Sequence, residues 1–278
     1  MRVGYTMRAS RSMLRHPGQG IERIRGRLDR HHDQRQKASL GASMADFYGA
    51  AADWRARLHA GLGVPSPCPA LASFDDLLEK MITDLAGAGL RVGLASYGGW
   101  NDGDHAFSEA IWCIVAHIRP QRVVETGVAH GLTSRIILQG LQANGVGRLW
   151  SIDLPAVDSV LHHEIGIAVP DGLRSRWTYV SGTSRQRLPH LLNELGTIDL
   201  FVHDSLHTGR NTRFELDSAW PVIRPGGVAV VDDVDHSLAF DAFVRHAHPA
   251  ESLAARHVTG AGLWGLAIKA KEGAGQEG

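Results

Sequence analysis

The stretch VVETGVAHGLTSRIILQGL, residues 123–141, decides the fold. A β-branched pair, Val123 and Val124, runs into Glu125 and Thr126. The chain then turns between Gly127 and Gly131, and from Leu132 its apolar residues recur at helical spacing. A change of period from two to about 3.6 across a glycine turn marks a strand feeding a helix. Such a turn lets backbone approach a ligand closely, and the helix start offers free N–H groups to an anion. The spacing is ExGxxxG, not the GxGxxG of a dinucleotide fingerprint, so a pyrophosphate cradle is disfavoured.

Outward from this stretch the same texture repeats. RVVET, RLWSID, RWTYVSG, IDLFVHD and GGVAVVDD read as strands, and LTSRIILQGLQ, RLPHLLNEL and FELDSAW between them read as helices. That alternation predicts βαβ units and a parallel sheet covered on both faces. SLAARHV and LWGLAIKA add two strands separated by TGAG. The expected fold is α/β: a Rossmann-like doubly wound sheet, mostly parallel with an antiparallel last strand, plus N-terminal helices. Helical patterns run from Met44 to about Leu62 and from Ser73 to about Leu85, with Leu77, Leu78, Met81, Ile82 and Leu85 on one face. Another runs through Phe107, Ile111, Ile114 and Ile118 to a stop at Pro120. The expected organisation is a basic, flexible arm (1–40), a helical region serving as lid or homodimer surface (41–118), the Rossmann-like domain (119–270) and a frayed tail (271–278).

A chain of 278 residues, 44% of them hydrophobic, is long enough to bury one large core. Its 29 basic and 29 acidic residues balance, yet residues 1–40 hold 10 of the former and 3 of the latter. Within that arm GIERIRGRLDRHH suggests a charged helix around Ile21, Ile24 and Leu28. A basic terminus is ordinarily a solvated extension, so nucleic acid is not an expected partner. No stretch reaches the roughly 18 apolar residues of a membrane span. Cys68 and Cys113 are too few for a disulfide framework and lack metal-ligand spacing. These features suit a reducing cytoplasm.

Ligands of open α/β sheets bind beyond the carboxyl ends of the strands. Asp153 ends RLWSID, where a carboxylate can accept both hydrogen bonds of a ribose diol. Gly182, Thr183 and Ser184 follow the next strand, and small polar residues there suit an adenine edge. Each signal is weak alone; in this order on a βαβ scaffold they reinforce one another.

From about Trp100 to Val234 the chain resembles the class I S-adenosylmethionine-dependent methyltransferases, most closely the metal-dependent, catechol O-methyltransferase-like group and its bacterial relatives. WNDGD is similar to the family's segment over the methionine end of the cofactor, ETGVAHGLTS to its first motif and SGTSRQRLP to its adenine loop. The resemblance implies cofactor contacts from Asn101 and Gly103, from Glu125 to the amino group, from Gly127 and Gly131 to the methionine portion and from Thr133 to its carboxylate. It further implies Asp153 at the ribose, with Ser184 and Arg185 near the base.

Asp204 ends IDLFVHD, and Asp232 and Asp233 end GGVAVVDD. If these strands are neighbours, three carboxylates meet and repel unless a cation neutralises them; oxygen ligands suit Mg²⁺. In the family the equivalent trio binds Mg²⁺, with Asn usual at the position of Asp233. The resemblance implies a metal-held substrate hydroxyl, deprotonated by His207 where the family carries a Lys, that attacks the sulfonium methyl. His203, His236 and His130 are competing bases, and Trp100 and Trp220 are candidates for the acceptor pocket. The expected activity is O-methylation of a small hydroxylated acceptor such as a catechol, polyketide or sugar. The alternatives are a metal-independent methyltransferase acting on nitrogen or nucleic acid, and a non-methylating relative that binds the cofactor structurally.

Overall fold

The computed structural model describes residues 17–87, 104–154, 159–258 and 262–271. Its sheet has seven strands: β1 (Arg122–Thr126), β2 (Arg148–Asp153), β3 (Trp177–Ser181), β4 (Ile198–His203), β5 (Ile223–Val231), β6 (Glu251–Arg256) and β7 (Leu263–Ile268). Their spatial order is β3-β2-β1-β4-β5-β7-β6. The first five strands are parallel, and β7 runs antiparallel to both β5 and β6. This is the Rossmann-like sheet with an antiparallel last strand that the alternation predicts.

Because successive side chains of a strand point to opposite faces, each strand feeds two cores. Val123, Leu149, Leu200, Val202, Val228 and Val230 join one cluster with Trp264 and Leu266. Helices α3 (Trp54–Leu62), α4 (Phe74–Gly87), α5 (His105–Ile118) and α6 (Leu132–Asn144) cover it. Val124, Ile152, Phe201, Ala229 and Val231 form the other cluster, beneath α8 (Ser184–Leu195), α9 (Gly209–Ala219) and α10 (Ala239–Ala247). The one-turn α7 (Asp171–Arg174) precedes β3. Helices α3 to α5 therefore share a core with the sheet.

Upstream, two expectations are corrected. The pattern from Met44 to Leu62 is broken into α2 (Met44–Tyr48) and α3: Gly49 adopts the left-handed conformation at φ 56° and caps α2, and Ala51 N–H then donates to Ala254 O of β6 at 2.7 Å. In α4 the buried face is Leu78, Met81 and Leu85, whereas Ile82 is exposed.

Residues Pro17–Ala38 of the basic arm form α1, a helix of 22 residues. The apolar triplet Ile21, Ile24 and Leu28 faces outward. Polar contacts hold the helix instead. Asp33 Oδ2 accepts from Gly209 N–H at 2.9 Å, Asp29 pairs with Arg210 at 3.4 Å, and Glu22 lies 3.8 Å from Arg185. Thus α1 lies against the loops that leave β3 and β4. Among the described residues no helix is long and apolar enough to cross a membrane.

Candidate active site

The ladder continues one residue past most of the parallel strands. Gly182 N–H donates to Asp153 O at 2.9 Å, while Gly127 to Ile152, Asp204 to Thr126 and Asp232 to His203 each measure 2.8 Å. These bonds line the residues leaving β3, β1, β4 and β5 along one edge. The strand order reverses between β1 and β4, which is where ligands of such sheets bind. The glycine turn and the acids therefore flank one switch point.

On the β1–β2–β3 side, Glu125 is fully buried. Its Oε2 accepts from Ser134 Oγ and Ser151 Oγ, both at 2.6 Å, whereas Oε1 is buried without a hydrogen-bond partner. Burial pushes this carboxyl up to about 7, against the two serines, with nearby Asp153 adding to the rise. Asp153 Oδ2 accepts from the N–H groups of Val128 and Ala129 at 3.2 and 3.1 Å. Burial still raises it to about 6 despite those bonds. Arg23 of α1 is the cation acting on it.

The glycines are required by the chain's own backbone. Gly127 has φ 88°, and a Cβ there would overlap the Asp204 carbonyl. Gly131, at φ 86°, is the N-cap residue of α6, and a Cβ there would come within 2.9 Å of Gly166 Cα. Thr133 is half-buried in the first turn of α6, and Ser184 Oγ donates to Asn211 at 3.3 Å. Arg185 is turned onto Phe214, 4.7 Å from the ring centroid, and donates to Arg210 O at 3.1 Å. Asn101, Gly103 and Trp100 lie outside the described residues.

On the β4–β5 side the three carboxylates fall into two groups that share Asp232. Asp204, His207 and Asp232 each offer a donor atom within 4.8 Å of the others, and so do Asp232, Asp233 and His257. His207 Nε2 faces Asp204 Oδ1 at 3.8 Å and Asp233 Oδ2 at 3.7 Å, while its Nδ1 is buried and unpartnered. Burial, outweighing the two acids Asp233 and Asp232, holds this imidazole below its ordinary value. Asp233 is left-handed at φ 50°, a conformation that Asn and Asp tolerate far better than other side chains with a Cβ. The backbone at this position therefore suits Asn and Asp alike.

His257, just past β6, stands among these acids, and no motif announced it. Its Nδ1 lies 3.1 Å from Asp104 Oδ1 and its Nε2 3.0 Å from Asp232 Oδ1. Burial alone would lower this imidazole, but the two carboxylates outweigh it and raise it to about 10. Asp104 also caps α5, accepting from Ala106 and Phe107 N–H at 2.9 and 3.1 Å.

The competing histidines are sorted by the same geometry. His203 Nδ1 is 2.6 Å from buried Glu215, His130 pairs with Glu164 at 3.3 Å, and half-exposed His236 stands 3.6 Å from Asp233. Trp220 packs on Phe243 and Lys269 just before β5 begins. That is the opposite end of the sheet, so Trp220 is no part of an acceptor pocket.

A sheet of this order, with a glycine turn after β1 and an acid closing β2, defines the class I methyltransferase fold. Residues 124–234 match the family model described as a methyltransferase domain, and the sheet around them has the fold of that class. Among solved structures it is similar to the O-methyltransferase from Bacillus cereus in complex with SAH. That match has 16% identity and TM-score 0.52, covering 69% of this chain and 90% of the other. It is similar also to the O-methyltransferase TomG from Streptomyces achromogenes, involved in tomaymycin synthesis and in complex with SAM, at 19% identity and TM-score 0.50, covering 69% of this chain and 89% of that one. At such identities the likeness establishes the fold. No curated protein matches the sequence.

Proposed function

We propose that the chain is an S-adenosylmethionine-dependent, Mg²⁺-dependent O-methyltransferase acting on a hydroxyl of a small acceptor of catechol, polyketide or sugar type. The reading is carried by the convergence of Asp204, His207 and Asp232 within 4.8 Å at the ends of adjacent strands, next to the glycine turn. O-methyltransferases among the similar structures support the choice of oxygen as acceptor.

The residues fit both the cofactor and the cation. The unpartnered, buried Oε1 of Glu125 suits an ammonium donor, which the methionine end of the cofactor carries. Asp204 and Asp232, with Asp233 beside them, are a hard oxygen donor set of the kind Mg²⁺ prefers. When bound, the cation supplies charge that lowers the pKa of an acceptor hydroxyl, and the cofactor supplies the methyl group.

The chain's own residues orient and deprotonate. His207, held neutral by burial, accepts the hydroxyl proton at an imidazole nitrogen, and the acids around Nε2 stabilise the resulting cation. His236 is the reserve base. Strand-end hydrogen bonds keep the glycine turn and the acids in fixed relation, and positioning of this kind supplies much of the rate gain in a direct transfer.

The test is an acceptor screen with labelled S-adenosylmethionine, run with Mg²⁺ and with chelator. Transfer to oxygen that chelator abolishes and Mg²⁺ restores supports the proposal. Full turnover in chelator selects the metal-free alternative, in which the His257 cation alone compensates the acids.

A further inference from the structure

The two cysteines, 45 positions apart, meet inside the fold: Cys113 Sγ lies 3.3 Å from Cys68 Sγ. Cys68 Sγ is in turn 3.0 Å from His117 Nε2, and His59, Cys68 and His117 each offer a donor atom within 4.8 Å of the others. Sequence spacing excluded a metal site because the ligands come from three separate pieces of chain. His59 lies on α3, Cys68 on the Pro-rich loop, and Cys113 and His117 one turn apart on α5. His59 is 2% exposed, and neither of its ring nitrogens has a hydrogen-bond partner. A buried imidazole left unpaired costs about 1–3 kcal/mol, so its placement calls for a partner that the protein atoms do not supply.

We propose that His59, Cys68 and His117 bind a borderline-soft divalent transition metal, zinc foremost, in a site separate from the acids at the strand ends. One thiolate and two imidazoles, with a fourth position open, are a nitrogen and sulfur donor set of the kind zinc takes. With Zn–S of about 2.3 Å and Zn–N of about 2.0 Å, a tetrahedron has an S–N edge near 3.5 Å. The Cys68–His117 contact, at 3.0 Å, is shorter than that edge, and the three donor atoms all lie within 4.8 Å of one another. The Cys68 thiolate neutralises part of the divalent charge, as a buried site requires. Burial, with His59 nearby, already holds His117 below its ordinary value, in the neutral form that ligates. Binding follows Zn²⁺ plus one thiol going to a thiolate complex plus one proton.

The location gives the site a purpose. His117 lies thirteen positions after Asp104, about 20 Å along the axis of α5, so the cluster sits at the far end of the helix that Asp104 caps. The metal would join α3 and the Pro-rich loop to α5, whose Asp104 cap faces His257.

The experiment uses the full chain purified under reducing conditions without chelator. Expected are about one zinc per chain by elemental analysis and, after exchange to Co²⁺, visible bands of a tetrahedral ion with sulfur-to-metal charge transfer. One proton should be released per zinc bound to the metal-free protein, and excess Mg²⁺ should displace none of it. Cys68→Ser should remove the charge-transfer band, and Cys113→Ser should leave it. Because these core variants can fail to fold, the less buried His117→Ala is the second probe: it should remain folded and lose zinc affinity at least tenfold. A Cys68–Cys113 disulfide in freshly isolated protein would overturn the proposal. So would a Co²⁺ spectrum without sulfur bands, or zinc content unchanged in His117→Ala. None of these readouts depends on methyl transfer, so this site and the proposed activity stand or fall separately.

Discussion

Nε2 of His257 lies 3.0 Å from Oδ1 of Asp232, which places an imidazolium beside a carboxylate proposed to hold Mg²⁺. The ion pair and the divalent cation compete for one charge. His257→Gln should therefore lower the Mg²⁺ concentration that half-saturates methyl transfer, several-fold. The same change removes the partner of two largely buried acids and should destabilise the protein by about 3 kcal/mol in urea denaturation. An unchanged or higher Mg²⁺ requirement would show that the two cations do not share Asp232. The pH dependence has a definite sign. The imidazole is raised from 6.5 to about 10, so its contribution is complete below pH 6.5 and is lost as pH rises through about 10. Wild-type stability should fall across that interval, and the Gln variant should fall less.

Glu125 predicts opposite effects on stability and on binding. Its carboxyl is raised from 4.5 to about 7 with one oxygen unpartnered. The stability linked to its proton is present below pH 4.5 and lost as pH rises through about 7. In Glu125→Gln the amide oxygen can still accept from Ser134 and Ser151, and no buried charge forms. At pH 8 this variant should be more stable than wild type by roughly 3 kcal/mol, with the difference vanishing near pH 4. If Glu125 faces the cofactor's amino group, S-adenosylmethionine affinity should fall about 10- to 100-fold in the same variant. Calorimetry finding wild-type affinity would remove Glu125 from the cofactor site.

The parallel part of the sheet was legible because its strands are short apolar runs that end at or next to a polar residue and alternate with helical patterns. Asp204 and Asp232 were legible for the same reason: a strand end is a position in space as well as in sequence. His257 was not, since it follows β6 and reaches the acids only because β7 inserts antiparallel between β5 and β6. Asp104 was hidden in WNDGD, where the neighbouring Asn and Gly drew the reading, and only its cap on α5 and its pairing with His257 mark it out. The docking of α1 through Asp29 and Asp33 was equally invisible. The sequence suggested only a charged helix around its apolar triplet, and the charged residues are the ones that make contact. That Cys68 and Cys113 meet was not legible either, because 45 positions and separate elements lie between them.

Gly127 should tolerate no side chain. At φ 88° an alanine is strained, and its Cβ would overlap the carbonyl oxygen of Asp204. The left-handed conformation costs about 1–2 kcal/mol and the overlap about 1–3 more, so Gly127→Ala should lose about 2–5 kcal/mol. The carbonyl it displaces belongs to a proposed metal ligand. Whatever folds should therefore need more Mg²⁺ for turnover, whereas Gly145→Ala, left-handed at φ 73° with open space around it, should lose stability without that effect. Equal Mg²⁺ dependence in the two variants would refute the link between the glycine turn and Asp204.

Glu215 supplies the acid limb of the stability profile. It is fully buried beneath the site, where it accepts from Ser205 Oγ and Asn211 Nδ2, both at 2.8 Å, and lies 2.6 Å from His203 Nδ1. Burial would raise this carboxyl, but the His203 charge and the surrounding donors outweigh it and lower it from 4.5 to about 2. Its contribution is therefore fully present above pH 4.5 and is lost as pH falls through about 2. Glu215→Gln keeps the shape but removes the charge that His203 faces, and should destabilise the protein by about 3 kcal/mol at pH 7. Between pH 4.5 and 2 wild type should lose that advantage, so the stabilities of the two proteins converge. Parallel curves through that interval in acid titrations followed by circular dichroism would mean that Glu215 does not fold as a carboxylate. Because Glu215 also receives the Ser205 hydroxyl next to Asp204, the variant should lose turnover at neutral pH beyond what its unfolded fraction explains.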